Sequence, residues 1–243
     1  METKGTVLNT NELSAGQKGR MFELMCMFFN GVEKDKFSRD LSEKKWVVVL
    51  QDTDSGEIFG FSTQTILEER IDSTPVKVIF SGDTIVHRDY RFGEKGLMKA
   101  WAELVSSLMI KYQGVKFYWY LISMGYRTYR FLPVFFKEFY PRYDKETPEF
   151  EKKVIDAFAS SKYPDEYDSK MGIIHTRSNG YLKPGVGDIT EELLKDQHIE
   201  FFVKRNPLHA EGEELACIAE LVKDNLNPVA FRMLSKDNPL RFL

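Results

Sequence analysis

A strand, a turn, a helix and a second strand follow one another between residues 76 and 123, and this order restricts the fold more than any other feature. Val76–His87 is rich in β-branched residues and Val115–Ser123 (VKFYWYLIS) is a short apolar run, so both predict strands. The helix between them is predicted by an apolar stripe at Leu97, Trp101, Leu104, Val105 and Leu108. Strands joined through a helix lie parallel when they pair in one sheet. We therefore expect at least one parallel pair.

The rest of the chain predicts further elements around this unit. A helix over Ser14–Gly31 and a hairpin joining Trp46–Leu50 to Ile58–Leu67 precede it. After it the sequence predicts a short helix Pro133–Pro141, a helix Phe150–Ser161, a strand Ile199–Pro207 and a helix Glu211–Asn225. Gly82 interrupts the third strand, and a glycine there is typical of a bulge. We expect an α/β (α+β) fold, one domain over 1–243, with a mixed, mostly antiparallel central sheet flanked by helices.

The composition argues against several classes of protein. A net charge of −3 and a pI near 5.9, without a basic run, do not suit a nucleic-acid binder. No apolar stretch has membrane-spanning length and the N-terminus lacks the features of a signal peptide, so we expect a soluble cytoplasmic protein. The two cysteines, Cys26 and Cys217, form no metal or redox motif, and no ligand spacing predicts a metal site.

Aromatic residues are concentrated between residues 112 and 143. Two interpretations stay open for them. They form a thick core, as buried aromatic side chains usually do, or they line a large apolar cavity.

The turn in IVHRDYRFGEKGLMKAW (85–101) carries the clearest functional signal. A strand, a turn with glycine and arginine, and a helix together present backbone N–H groups to a phosphate. Glu94 lies inside this turn, however, where its charge would repel a phosphate.

The order of elements and this turn resemble the GNAT superfamily of acyl-CoA-dependent N-acyltransferases, whose loop has the form Q/R-x-x-G-x-G/A. Arg91 matches the Q/R position and Gly96 the last one, while Glu94 replaces the first glycine and Gly93 lies one residue early. The resemblance covers about 14–143. It implies that main-chain groups of the strand and the loop hold the acyl donor. The donor-binding residues it implies are Ile85, Val86, His87, Arg91, Phe92, Gly93, Lys95 and Gly96.

The replacement by Glu94 leaves three alternatives for the donor. The Glu94 side chain points to solvent and CoA still binds, or the donor is an acyl carrier protein with a single phosphate, or the donor site is lost. No permanently bound cofactor is expected, since the acyl-CoA or acyl-phosphopantetheine carrier is a co-substrate.

Two residues of the third strand are candidate bases for the acceptor amine. Asp83 and His87 alternate with Ile85 and therefore share a face. His87 has a suitable reference pKa, although a histidine that caps the strand end is an equal interpretation. The tyrosine that protonates the leaving thiolate in many GNAT enzymes falls on Phe135 or Phe136 here. Tyr126, Tyr129 and Tyr140 are nearby replacements, and we select Tyr129.

The resemblance therefore implies an N-acyltransferase that moves an acyl group, of medium or long chain, from CoA or an acyl carrier protein to an amine of an amino acid, peptide or small molecule. The enlarged C-terminal half, 144–243, suits a larger acyl pocket or acceptor. The alternative is a catalytically degenerate GNAT-like binding protein. Besides donor and acceptor, a homodimer is an open possibility.

Overall fold

The structure is a computed structural model that describes residues 2–175 and 180–242, without the side chains of Arg91 and Phe92. Its strands are β1 Thr3–Asn9, β2 Phe29–Asn30, β3 Trp46–Asp52, β4 Ile58–Ile71, β5 Thr74–Val86, β6 Lys116–Ser123, β7 Tyr167–Asp168, β8 Ile173–Ile174, β9 Tyr181–Leu182 and β10 Glu214–Glu220. Its α-helices are α1 Ala15–Phe28, α2 Lys34–Ser42, α3 Glu94–Lys111, α4 Tyr126–Tyr129, α5 Phe131–Phe135, α6 Glu149–Lys162, α7 Gln197–Arg205 and α8 Pro228–Met233.

The central sheet has eight strands in the order β1-β3-β4-β5-β6-β10-β8-β7. β5 and β6 are parallel, and all the other neighbours in this sheet are antiparallel. The predicted meander, the crossover through α3 and the mostly antiparallel sheet are confirmed. β2 and β9 form a separate two-stranded sheet.

Helices cover both faces of the sheet because its central strands are apolar on both sides. Val47 and Val49 pack towards α1, whereas Val48 and Leu50 pack towards α3, as the two-residue repeat of a strand requires. α6 covers the neighbouring part of the α1 face, over Phe80 and Tyr120 of β5 and β6.

A bulge in β5 divides this strand into two parts. Ser62 of β4 lies opposite Thr84 and Gln64 lies opposite Ser81, so Thr63 alone faces both Gly82 and Asp83. The extra residue bends β5. β5 pairs with β6 only as far as Ser81, which lies opposite Leu121. Beyond the bulge the two parallel strands separate.

A buried hydrogen-bond network fixes the point of separation. The Ser81 hydroxyl donates to Oε1 of Gln64 at 2.6 Å and accepts from the Trp119 indole at 2.8 Å. Nε2 of Gln64 donates to the Ser62 hydroxyl at 2.8 Å, and Ser62 contacts the Thr84 hydroxyl at 2.7 Å. The network therefore joins both sides of the bulge in β5 to β4 and β6.

Two predictions for the C-terminal half were wrong. Ile199–Pro207 is not a strand but lies largely in α7, whose N-cap Asp196 accepts from the backbone N–H groups of His198 and Ile199. Glu211–Asn225 is not a helix, because its central part is β10, a strand buried between β6 and β8. A strand buried on both faces has a continuous apolar run, which also satisfies a helical stripe.

The predicted helix Pro133–Pro141 is only partly present. α5 ends at Phe135, and Phe136 and Tyr140 then form isolated bridges with Leu226 and Ile218. The aromatic residues of this region mostly pack in the core on the two faces of the sheet. They support the core interpretation over a large cavity.

We predict that Gln64→Leu lowers the free energy of unfolding by at least about 2 kcal/mol, because the substitution leaves the buried Ser62 and Ser81 hydroxyls without their amide partner. Urea unfolding measures the effect. Gln113→Leu, at an exposed turn position, is the matched control and is expected within about 0.5 kcal/mol of wild type. Equal stability of the two variants would contradict a structural role of the network.

Candidate functional site

A cleft of about 550 Å³ opens where β5 and β6 separate. Gly82–Val86 of β5 form one wall, and Ile122 and Met124–Thr128, from β6 to α4, form the wall across the gap. α1, α2 and the end of α6 contribute the rest of the lining on the α1 face of the sheet. The cleft is therefore a direct consequence of the bulge.

Asp83 is the extra residue of the bulge and lines the cleft. Its side chain is half-buried, and within the described residues it forms no ion pair. Burial raises the pKa of Asp83 to about 6; the neighbouring Asp40 adds to this rise and Lys44 opposes it. Near neutral pH the group is a carboxylate that accepts a proton readily.

Two lysines line the cleft close to Asp83, and each is paired with a carboxylate. The Lys44 ammonium donates to Oδ2 of Asp40 at 2.5 Å. Nζ of Lys162 lies 3.1 Å from Oε2 of Glu43. Both ammonium groups also contact the Phe80 ring, at 5.8 and 5.3 Å from its centroid. The walls around Asp83 thus hold charges that neutralise one another.

The apolar part of the cleft comes from α1 and the two small strands. Phe28, Phe29 and Val32 line it, together with Leu182 and Val186. The segment that includes β9 is held there because β9 pairs with β2 and Nζ of Lys183 donates to the Cys26 carbonyl at 2.6 Å.

The N-terminus of α3 also reaches the cleft. Glu94 lines it there, and Val86, Arg127 and Phe131 are further lining residues. The first turn of a helix has unpaired N–H groups that attract an anion, but Glu94 is itself the acidic residue of that turn.

Comparisons with known proteins find no matching family model and no similar curated protein. Among solved structures, similarity is found to a GNAT family N-acetyltransferase from Escherichia coli in complex with CoA (TM-score 0.38, 13% identity, covering 54% of this chain and 69% of that chain). Similarity is also found to a conserved protein of unknown function from Enterococcus faecalis, a probable N-acyltransferase. Its TM-score is 0.43 at 12% identity, and the match covers 92% of this chain and 68% of that chain. Similarity is also found to glucosamine-6-phosphate N-acetyltransferase from Arabidopsis thaliana, with a TM-score of 0.35 and 19% identity, covering 50% of this chain and 82% of that chain.

The topology itself identifies the fold. A meander leads into β5, a helix follows it, and the parallel strand β6 separates from β5 beyond a bulge. The fold is GNAT-like.

Within this GNAT-like fold, the structure places three of the predicted site residues in the cleft, namely Asp83, Ile85 and Val86. His87 does not line the cleft. Its Nδ1 accepts from the Asp89 backbone N–H at 3.3 Å and its ring contacts Tyr90, so it caps the end of β5.

Tyr129, the residue that we selected among three tyrosines, does not line the cleft either. Its hydroxyl donates to the Pro141 carbonyl at 2.9 Å, and the ring is buried against Phe139 and Phe202. Burial raises the pKa of the Tyr129 hydroxyl. Tyr126, one turn earlier, lines the cleft. The two tyrosines lie at the two ends of the four-residue helix α4 and have different surroundings, although residues three apart share a helix face.

The glycines at the start of α3 contact β1, whereas the Q/R-x-x-G-x-G/A motif predicted that they contact the acyl donor. A Cβ at Gly93 would lie 2.7 Å from Oγ1 of Thr3, and one at Gly5 would lie 2.0 Å from the Gly96 carbonyl oxygen. The glycines therefore allow the start of α3 to approach β1 closely. Lys95 is exposed and does not line the cleft. The side chains of Arg91 and Phe92 lie outside the described part of the chain.

Sequence reasoning missed Lys44 and Tyr163, which both line the cleft. Neither lies in a motif, and their approach to Asp83 depends on tertiary packing of α2 and α6. Over residues 2–175 and 180–242, no group of three or more His, Cys, Asp and Glu residues is placed to hold a metal ion. In the same ranges no helix combines the length and apolarity that crossing a membrane requires.

We predict that Asp83→Asn makes the protein more stable than wild type above about pH 7 and equally stable below about pH 4. The reason is that the folded-state pKa of about 6 lies above the ordinary value of 3.8, so the folded wild type loses stability as the pH rises between these values. Urea unfolding across this range measures the difference. Asp89→Asn, at an exposed carboxylate, is the control, and a stability difference for Asp83→Asn that does not vary with pH would contradict the raised pKa.

Proposed function

We propose that the protein is an N-acyltransferase that transfers an acyl group from a thioester to an amine. The observation that carries this proposal is the position of Asp83, a carboxylate with a raised pKa, in the gap between two separating parallel strands. In the GNAT-like fold such a gap is where a thioester and an amine meet.

The donor is expected to lie along the free edge of β5. Beyond Ser81 this edge has no partner strand in the part of the chain that the structure describes. Its main-chain groups at Ile85 and Val86 are therefore suited to bind the amides of a pantetheine chain. This role needs no particular side chain.

Asp83 is the proposed base. It accepts a proton from the ammonium form of the acceptor, and the neutral amine then attacks the thioester carbonyl carbon. The nitrogen of the tetrahedral intermediate loses its second proton as the C–S bond breaks, and the departing thiolate takes up one proton, so that an amide and a free thiol are formed. We assign the donation of this proton to Tyr126 in place of Tyr129, since Tyr126 lines the cleft.

The identity of the donor depends on Glu94. This residue lines the cleft at the start of α3 and opposes binding of a pyrophosphate, while Arg127 on the other wall offsets part of the charge. A phosphopantetheine carrier has less charge at this position than CoA. We therefore propose CoA and an acyl carrier protein as alternative donors. Glu94 also favours the alternative function, a catalytically degenerate GNAT-like binding protein that transfers no acyl group.

For the acyl group we propose a medium or long chain. The volume of about 550 Å³ and the apolar walls at Phe28, Phe29 and Leu182 support it. The aromatic residues of 112–143 support it less than the sequence suggested, because most of them pack in the core.

We predict amine-dependent release of free thiol from acyl-CoA or acyl carrier protein, measured over chains of two to sixteen carbons. The rate with wild type is expected to rise with pH through about 6, the pKa of Asp83, because the base acts when ionised. Asp83→Asn is expected to lower the rate at least about 100-fold. Asp89→Asn, with a side chain 82% exposed, is the control. Absence of both turnover and thermal stabilisation with every donor would refute the enzyme assignment.

We predict that Glu94→Gln tightens the binding of CoA about tenfold or more and changes the binding of phosphopantetheine less, because only CoA brings a pyrophosphate to the start of α3. Calorimetry measures both ligands. Glu191→Gln, at an exposed carboxylate, is the matched control. An unchanged CoA affinity in Glu94→Gln would place the pyrophosphate elsewhere.

A further inference from the structure

Lys44 is an unusual lysine because its side chain is almost completely buried, with 1% exposed. It lies two residues beyond α2, and its main chain is fixed by a hydrogen bond from the Thr10 hydroxyl to its carbonyl. A buried ammonium is costly without a partner. The partner is Asp40, which accepts through Oδ2 at 2.5 Å and through its carbonyl at 3.2 Å.

The two charges of this pair are not equally placed. The Asp40 side chain is 41% exposed, whereas the Lys44 ammonium is inside. Water therefore screens the carboxylate more than the ammonium. Both residues line the cleft, and their charges act on Asp83 in opposite directions.

The side chain of Lys44 passes directly over the bulge. A Cβ at Gly82 would lie 2.9 Å from Cε and 3.5 Å from Nζ of Lys44. Only glycine at this position lets the ammonium come so close to the main chain next to Asp83. The glycine of the bulge thus serves two purposes, since it accommodates the bend and admits the lysine.

Other charged or titratable groups also line this part of the cleft. Lys162 is paired with Glu43, as Lys44 is with Asp40, but it is not among the groups that shift the pKa of Asp83. Tyr163 is influenced by three of the carboxylates, and burial with these charges raises its pKa, so it stays neutral. The charged and titratable groups that line the cleft with Asp83 are Glu33, Lys36, Arg39, Asp40, Glu43 and Lys44 in and around α2, Glu94 on α3, Tyr126 and Arg127 on α4, Lys162, Tyr163 and Glu166 at and beyond the end of α6, and Glu214 on β10.

We propose that Lys44 is a positioning residue that keeps Asp83 ionised near neutral pH, and that Asp40 limits this effect. Only the catalytic consequence of this inference, that Asp83 is ionised at neutral pH and can act as the base, rests on the proposed function. The protonation of Asp83 itself is a property of the free protein. The two can be tested separately.

The direct experiment is a titration of the Asp83 side chain by carbon NMR of the carboxyl group in the free protein, with Asp83→Asn to assign the signal. Lys44→Met keeps most of the apolar stem and is expected to raise the midpoint by about one pH unit or more, because a neighbouring positive charge is lost. Asp40→Asn is expected to lower it. Lys44→Arg restores the charge and is expected to stay closer to wild type than Lys44→Met.

Lys162→Met is the matched control, since it removes a second cleft lysine that contacts the same Phe80 ring. The Asp83 midpoint is expected to stay unchanged in this variant. A midpoint in Lys44→Met equal to wild type, or shifts of the same sign in Lys44→Met and Asp40→Asn, would overturn the inference. If Lys44→Met does not fold, Lys44→Gln removes the same charge and takes its place in both criteria.

The kinetic consequence is tested with the same variants. The pH at which the rate of thiol release is half-maximal is expected to move with the NMR midpoint, upwards in Lys44→Met and downwards in Asp40→Asn. NMR shifts as expected without any turnover would refute the proposed function and leave the electrostatic role of Lys44 intact. If the pH of half-maximal turnover is the same in wild type, Lys44→Met and Asp40→Asn, Asp83 is not the base.

Discussion

One extra residue in β5 determines where this protein has a cleft. Because Thr63 alone lies opposite Gly82 and Asp83, the strand bends, and its pairing with β6 stops at Ser81. The bend is held by buried polar groups rather than by apolar packing alone, since Gln64 bonds to serines on either side of it. Buried hydrogen bonds of this kind specify one register, because every alternative leaves a donor or acceptor unpaired. The opening between the strands follows from this arrangement.

The same bulge brings together the chemistry of the cleft. It places Asp83 in the opening, and its glycine lets the buried Lys44 come close to the main chain next to Asp83. Burial and Asp40 raise the pKa of Asp83 while Lys44 lowers it, and the balance lies at about 6. A group with this pKa is ionised near neutral pH and is still basic enough to take a proton from an ammonium.

The sequence predicted the parts of the fold that depend on local pattern and short connections. The hairpin, the crossover through α3 and the glycine bulge at Gly82 could be found because turn residues and apolar periodicity mark them. β10 could not be distinguished from a helix, since a strand buried on both faces is apolar throughout. At the site, Asp83 could be selected as a carboxylate beside a glycine in a strand. Tyr126 could not be separated from Tyr129 by spacing, and Lys44 was missed because only the packing of α2 brings it to the bulge.

The central claim, that the gap between β5 and β6 holds an acyl thioester, is tested most directly by hydrogen exchange with a non-hydrolysable acyl-CoA thioether and with the corresponding acyl-phosphopantetheine thioether. Binding is expected to slow exchange of the amides in 82–87 and 122–128, on the two walls of the cleft, and to leave α8, none of whose residues lines the cleft, unchanged. Saturable binding that protects other segments and leaves both walls unchanged would contradict the claim.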